Sequence, residues 1–89
     1  MARILIIDDD DQVRKMLRTT LEAAGYDVVE APDGEGGMRL FRQAGADLVV
    51  TDIIMPEKEG LSTIRELREE DENVKIVAIS GGGAIEPRF

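Results

Sequence analysis

From Arg3 to Ile7 the chain runs through a short β-branched apolar stretch that breaks off abruptly at Asp8. A stretch with no polar alternation predicts a strand covered on both faces, the condition of a parallel sheet. The next segment can supply part of that cover. Val13, Met16, Leu17, Thr20, Leu21 and Ala24 recur at helical spacing, with Arg14, Lys15, Arg18 and Glu22 on the opposite face. Asp10 or Asp11 can cap the start of this helix, and Gly25 stands where a left-handed residue closes one.

The alternation then repeats. Tyr26 to Glu30 predicts a second strand, and Ala31-Pro32-Asp33-Gly34 a turn. Glu35 to Gln43 carries Met38, Leu40 and Phe41 at helical spacing. Gly36 and Gly37 weaken that helix, at about 0.5–1 kcal/mol each relative to alanine. Asp47 to Thr51 predicts a third strand ending at Asp52, then a loop through Ile53-Ile54-Met55-Pro56 and a helix with Leu61, Ile64 and Leu67 inward. Val74 to Ile79 predicts a fourth strand, ending at Ser80 and three glycines. Met16, Met38 and Phe41 are expected in the core. The order βαβαβαβ describes an α/β domain with a parallel sheet and helices on both faces.

Composition narrows the function. The 89 residues suffice for one small domain, and 43% hydrophobic content is ordinary for a globular chain. Nineteen acidic against 11 basic residues give a net charge of −8, which disfavours nucleic acid and anionic membrane as partners. There is no cysteine, which excludes disulfides, zinc thiolates and thiol catalysis, and no histidine, which excludes a Ser-His triad and a phosphohistidine on this chain. Ile4 to Ile7 is too short for a leader or a membrane span, so a cytoplasmic location is expected.

In an open parallel sheet, ligands gather at the carboxyl ends of the strands. Three of the four expected strands end there in oxygen-bearing side chains: Asp8 and Asp9, Asp52, and Ser80. Singly, each is an ordinary cap or turn residue. Together, carboxylates a few Å apart repel one another unless protons or a cation compensate. Mg²⁺ suits such a set, since it prefers carboxylates and carbonyls and commonly meets phosphate.

Ile6-Ile7-Asp8-Asp9, Thr51-Asp52-Ile53-Ile54-Met55-Pro56, Gly60 and Ser80 stand in the order and near the spacing of the receiver domains of two-component response regulators, which the chain resembles over nearly its whole length. The resemblance implies a flavodoxin-like fold with strand order 2-1-3-4, Asp52 as phosphoacceptor, and Ser80 as the hydroxyl that turns toward the phosphoryl group. Mg²⁺ would be held by Asp8, Asp9, Asp52 and the carbonyl of Ile54. A histidine kinase or phosphotransfer protein would be the donor.

The family pattern continues past Phe89 into a fourth helix, a fifth strand carrying a lysine, and a fifth helix. The resemblance therefore implies a truncated receiver domain over residues 1–89, impaired in phosphoryl transfer, that self-associates as a dimer through its fourth strand. Two other readings stand beside it. One is a receiver-derived structural or self-assembling fragment without signalling activity. The other is a haloacid-dehalogenase-type phosphatase built on the Asp-x-Asp of Asp8-Asp9-Asp10, although that family usually continues with threonine or valine where Asp11 and Gln12 stand.

Overall fold

The computed structural model describes residues 2–53 and 60–79, with the side chains of Gly60 and Leu61 excepted. Four strands and three helices alternate: β1 (Arg3–Ile7), α1 (Asp11–Ala23), β2 (Asp27–Ala31), α2 (Gly34–Ala44), β3 (Leu48–Asp52), α3 (Gly60–Glu70) and β4 (Lys75–Ile79). The strands form one parallel sheet in the order β2-β1-β3-β4. Six of the seven elements fall within about one residue of their expected bounds; α3 was expected only as a helix through Leu61, Ile64 and Leu67, with no bounds.

The unalternated strands are explained by cover on both faces. Leu5, Ile7 and Val49 pack with Met38 and Phe41 of α2, Leu67 of α3 and Val74. On the opposite face Ile4, Ile6, Val28 and Val50 pack with Leu17 and Leu21 of α1. Successive residues of one strand thus point into two separate apolar layers.

Each helix is fixed at its ends by the residues around it. Asp10 caps α1, its carboxylate accepting from the amides of Gln12 and Val13. At the other end Gly25 takes φ +94°; its amide donates to the Glu22 carbonyl and that of Tyr26 to the Leu21 carbonyl. This pair of bonds satisfies carbonyls that the last helical turn leaves open. Asp33 caps α2 by accepting from the Gly36 amide at 2.7 Å.

Gly37, which lowers the intrinsic stability of α2, has a packing reason to be there. A Cβ at that position would lie 2.4 Å from Cδ1 and 2.7 Å from Cγ1 of Ile7, which is itself fully buried. The missing side chain lets α2 sit directly against the end of β1, one residue before Asp8.

Three expectations need correction. Met16 is 54% exposed, and Thr20 and Ala24 are exposed with it; only Val13, Leu17 and Leu21 of the α1 stripe are half-buried. The apolar stripe is wider than the strip of helix that faces the sheet. Among the described side chains of α3 the fully buried ones are Thr63 and Leu67, four apart on one face, while Ile64 is only half-buried; Leu61 lies outside them. Arg14, expected on the outer face of α1, is folded inward with 12% of its side chain exposed.

Candidate phosphoacceptor and metal site

The carboxyl ends of the two central strands bring three acids together. Ile7 is in register with Thr51, so the next residues along, Asp8 and Asp52, are neighbours. Asp52 is the last residue of β3 and is 5% exposed; Asp8 comes directly after β1 and is 3% exposed. Asp9 stands beside them, exposed to solvent. One carboxylate oxygen from each of Asp8, Asp9 and Asp52 lies within 4.8 Å of those of the other two.

Local bonds hold Asp8 in place. Its amide donates to the Ala31 carbonyl at 3.2 Å, extending the β1–β2 pairing by one residue. Its Oδ1 accepts from the Asp10 amide at 2.8 Å. Its backbone carbonyl accepts from Nη1 of Arg14 at 2.6 Å. Burial pushes the Asp8 carboxyl above the ordinary carboxylate range; the Asp10 amide pulls it down, and the charges of Asp52, Asp9 and Asp10 push it further up.

Behind this cluster lies an ion-pair network that the sequence did not disclose. Glu30, near the end of β2, accepts from Nε of Arg14 and Nη1 of Arg18, both at 3.1 Å. Arg14 also pairs with Asp11 and Arg18 with Glu22. Burial raises the Glu30 carboxyl, but its bonds to Arg18 and Arg14 outweigh this and hold it below its usual value. The available signal was Glu30 itself, a charge within a strand of an otherwise covered sheet.

The donor set is chemically suited to one class of ion. Three carboxylates and no imidazole or thiolate favour a small, hard divalent cation over zinc or copper. Of the residues expected at the site, Asp8, Asp9 and Asp52 converge. Ile54 and Ser80, with Met55, Pro56 and the whole of 80–89, lie outside the described residues.

A parallel sheet in the order 2-1-3-4 with an acidic cluster at its carboxyl edge defines the flavodoxin-like class of receiver folds. A family model, the response regulator receiver domain, matches residues 4–88, and the chain belongs to that family.

Among curated relatives, the probable transcriptional regulator ycf27 of Guillardia theta is 40% identical over 87 residues, covering 98% of this chain and 34% of that protein. The response regulator receiver protein CpdR of Brucella abortus is 36% identical over 85 residues, covering 96% of this chain and 71% of that protein. Against the ycf27 regulators, the chain spans about a third of the relative's length. Among solved structures, the response regulator protein TrrA of Thermotoga maritima in complex with Mg²⁺-BeF superposes with a TM-score of 0.86 at 34% identity, covering 93% of this chain and 72% of that one. A second structure containing TrrA, in complex with the histidine kinase ThkA, matches with the same TM-score at 32% identity, covering all of this chain and 75% of that one.

Proposed function

We propose that this receiver domain accepts a phosphoryl group on Asp52 with Mg²⁺ held by Asp8, Asp9 and Asp52, and that a phosphohistidine on a histidine kinase or phosphotransfer protein is the donor. The observation that carries this reading is the convergence of the three carboxylates within 4.8 Å at the carboxyl ends of β1 and β3. The TrrA complexes with Mg²⁺-BeF and with ThkA support the metal and the partner by analogy.

In this reading the Asp52 carboxylate attacks phosphorus in line, an O–P bond forms, and the P–N bond to the donor imidazole breaks. Asp8, Asp9 and Asp52 would hold a divalent ion, which would supply positive charge to offset that on the transferring phosphoryl oxygens. Of the three, Asp52 is the one whose carboxylate is also the nucleophile. The family resemblance would add the carbonyl of Ile54 to the ligands and the hydroxyl of Ser80 as the group that senses the phosphoryl group, both residues lying outside the described ones.

The phosphatase alternative loses support from the same residues. Its second aspartate would be Asp10, whose carboxylate is committed to capping α1. We propose self-association as an additional property of these 89 residues, beside the phosphoacceptor reading rather than in place of it. Among the described strands β4 is an outer one, and its Val77 is 47% exposed.

The test is treatment with a small phosphodonor and Mg²⁺ followed by peptide mass mapping. Any phosphoryl group taken up is expected on Asp52 alone, at the low level that the impairment expected above implies, dependent on Mg²⁺ and lost in Asp52→Asn. Modification at another residue, or steady turnover of a generic phosphate ester, would contradict the reading.

A further inference from the structure

We propose that Arg14 is a positioning residue for the divalent-ion site, setting the relative direction of the Asp8 and Asp9 carboxylates through the peptide that joins them. This rests on reading Asp8, Asp9 and Asp52 as ion ligands.

The geometry is specific. Nη1 of Arg14 donates to the Asp8 carbonyl at 2.6 Å. That oxygen belongs to the planar peptide unit between Asp8 and Asp9, so its direction fixes the path of the chain between the two acids. The other two nitrogens of the same guanidinium are anchored: Nε by Glu30 on β2 at 3.1 Å, and Nη2 by Asp11 in the first turn of α1. One rigid fork thus ties β2, the β1–α1 connection and α1 to a single orientation.

The Asp8 amide is held by the Ala31 carbonyl, one residue beyond Glu30. Both ends of Asp8 are therefore referred to the end of β2. A lysine could preserve the charge but has no planar fork to reach three acceptors in three directions.

Charge alone argues the other way, which makes the proposal decidable. A guanidinium bonded to the Asp8 backbone adds positive charge beside the ion site, so simple electrostatics predicts that losing Arg14 tightens ion binding. Positioning predicts that it weakens. Arg14→Lys keeps the charge and removes the fork, separating the two effects. Arg18→Lys is the matched control, since Arg18 bonds to the same Glu30 and to Glu22.

The experiment measures Mn²⁺ affinity by calorimetry, and exchange of the Asp10 amide by NMR in metal-free protein, for the 89-residue chain and both variants. The Asp10 amide reports directly, because it donates to Oδ1 of Asp8. Arg14→Lys is expected to weaken Mn²⁺ binding about tenfold, the usual effect of losing a group that orients a ligand, and to speed Asp10 exchange; Arg18→Lys changes neither. Parent-like affinity and exchange in Arg14→Lys, or equal losses in both variants, would overturn the proposal. If Arg14→Lys does not fold, Asp10 exchange in metal-free Glu30→Gln decides, faster exchange being expected and unchanged exchange being contrary. If the parent itself takes up no Mn²⁺, the ion-site reading fails, while Asp10 exchange still tells whether Arg14 orders the Asp8–Asp9 turn.

Discussion

Asp8 shows how a site can work against the fold that carries it. The residue is 3% exposed, its carboxylate lies close to those of Asp52 and Asp9, and burial with these neighbouring charges raises its titration above the ordinary range. A group whose folded value is raised keeps its proton longer in the folded state. The stability associated with it therefore falls as pH rises from the unfolded value through the folded one, and the ionised form is a cost at neutral pH. Asp8→Asn is expected to stabilise the metal-free protein at pH 7 by about 0.5–2 kcal/mol, the usual gain from relaxing a functional compromise. The gain should shrink on acidification, which thermal melts across pH would follow. A variant less stable than the parent at neutral pH would contradict this.

At the scale of single elements, α2 carries the clearest conflict between local and tertiary preference. Helix propensity alone says that Gly37→Ala should add about 0.5–1 kcal/mol. The 2.4 Å approach of the new Cβ to Cδ1 of buried Ile7 says the opposite, because overpacking a filled core costs about 1–3 kcal/mol. The packing term is the larger, so urea denaturation is expected to show net destabilisation, partly relieved by Ile7→Val, which removes Cδ1. A stabilised Gly37→Ala would mean that α2 can move away from β1.

The same contrast explains what could be read from the sequence. Strand identity was legible in the unalternated run before Asp8, and the ends of α1 in Asp10 and Gly25, because these act over a few residues; Asp33 was read as a turn residue and not as the cap of α2. The three acids were legible because each ends a strand, and strand ends of a parallel sheet share one edge. Arg14 was misplaced because helical periodicity assigns a side chain to a face but does not say how far a long one reaches. Thr63 and the exposure of Met16 depend on how far α3 and α1 overlap the sheet, a distance that spacing along the chain does not encode.

Across the whole molecule the two faces of the sheet are unequally covered. On the face of α2 and α3, Leu5, Ile7, Val49 and Leu67 are fully buried. Alternation along β4 places Val77 on the α1 face, where it is 47% exposed, and Met16 of α1 is 54% exposed. An exposed valine forgoes about 1.5–3 kcal/mol of burial. A second copy covering that strand would recover part of this, so light scattering over a dilution series is expected to show mass rising with concentration for these 89 residues, and less so for Val77→Lys. A monomer at every concentration would contradict self-association.

The central claim is that the ends of β1 and β3 form one divalent-ion site from Asp8, Asp9 and Asp52, and titration with Mg²⁺ followed by backbone NMR tests it most directly. Saturable shifts are expected at the amides of residues 8–10 and 52–53, with binding lost in Asp9→Ala although that variant remains folded. Stability should rise with the ion by mass action, by about 2.7 kcal/mol at a hundredfold excess over Kd. Shifts scattered over the acidic surface, or an Asp9→Ala variant that binds Mg²⁺ as well as the parent, would contradict the account.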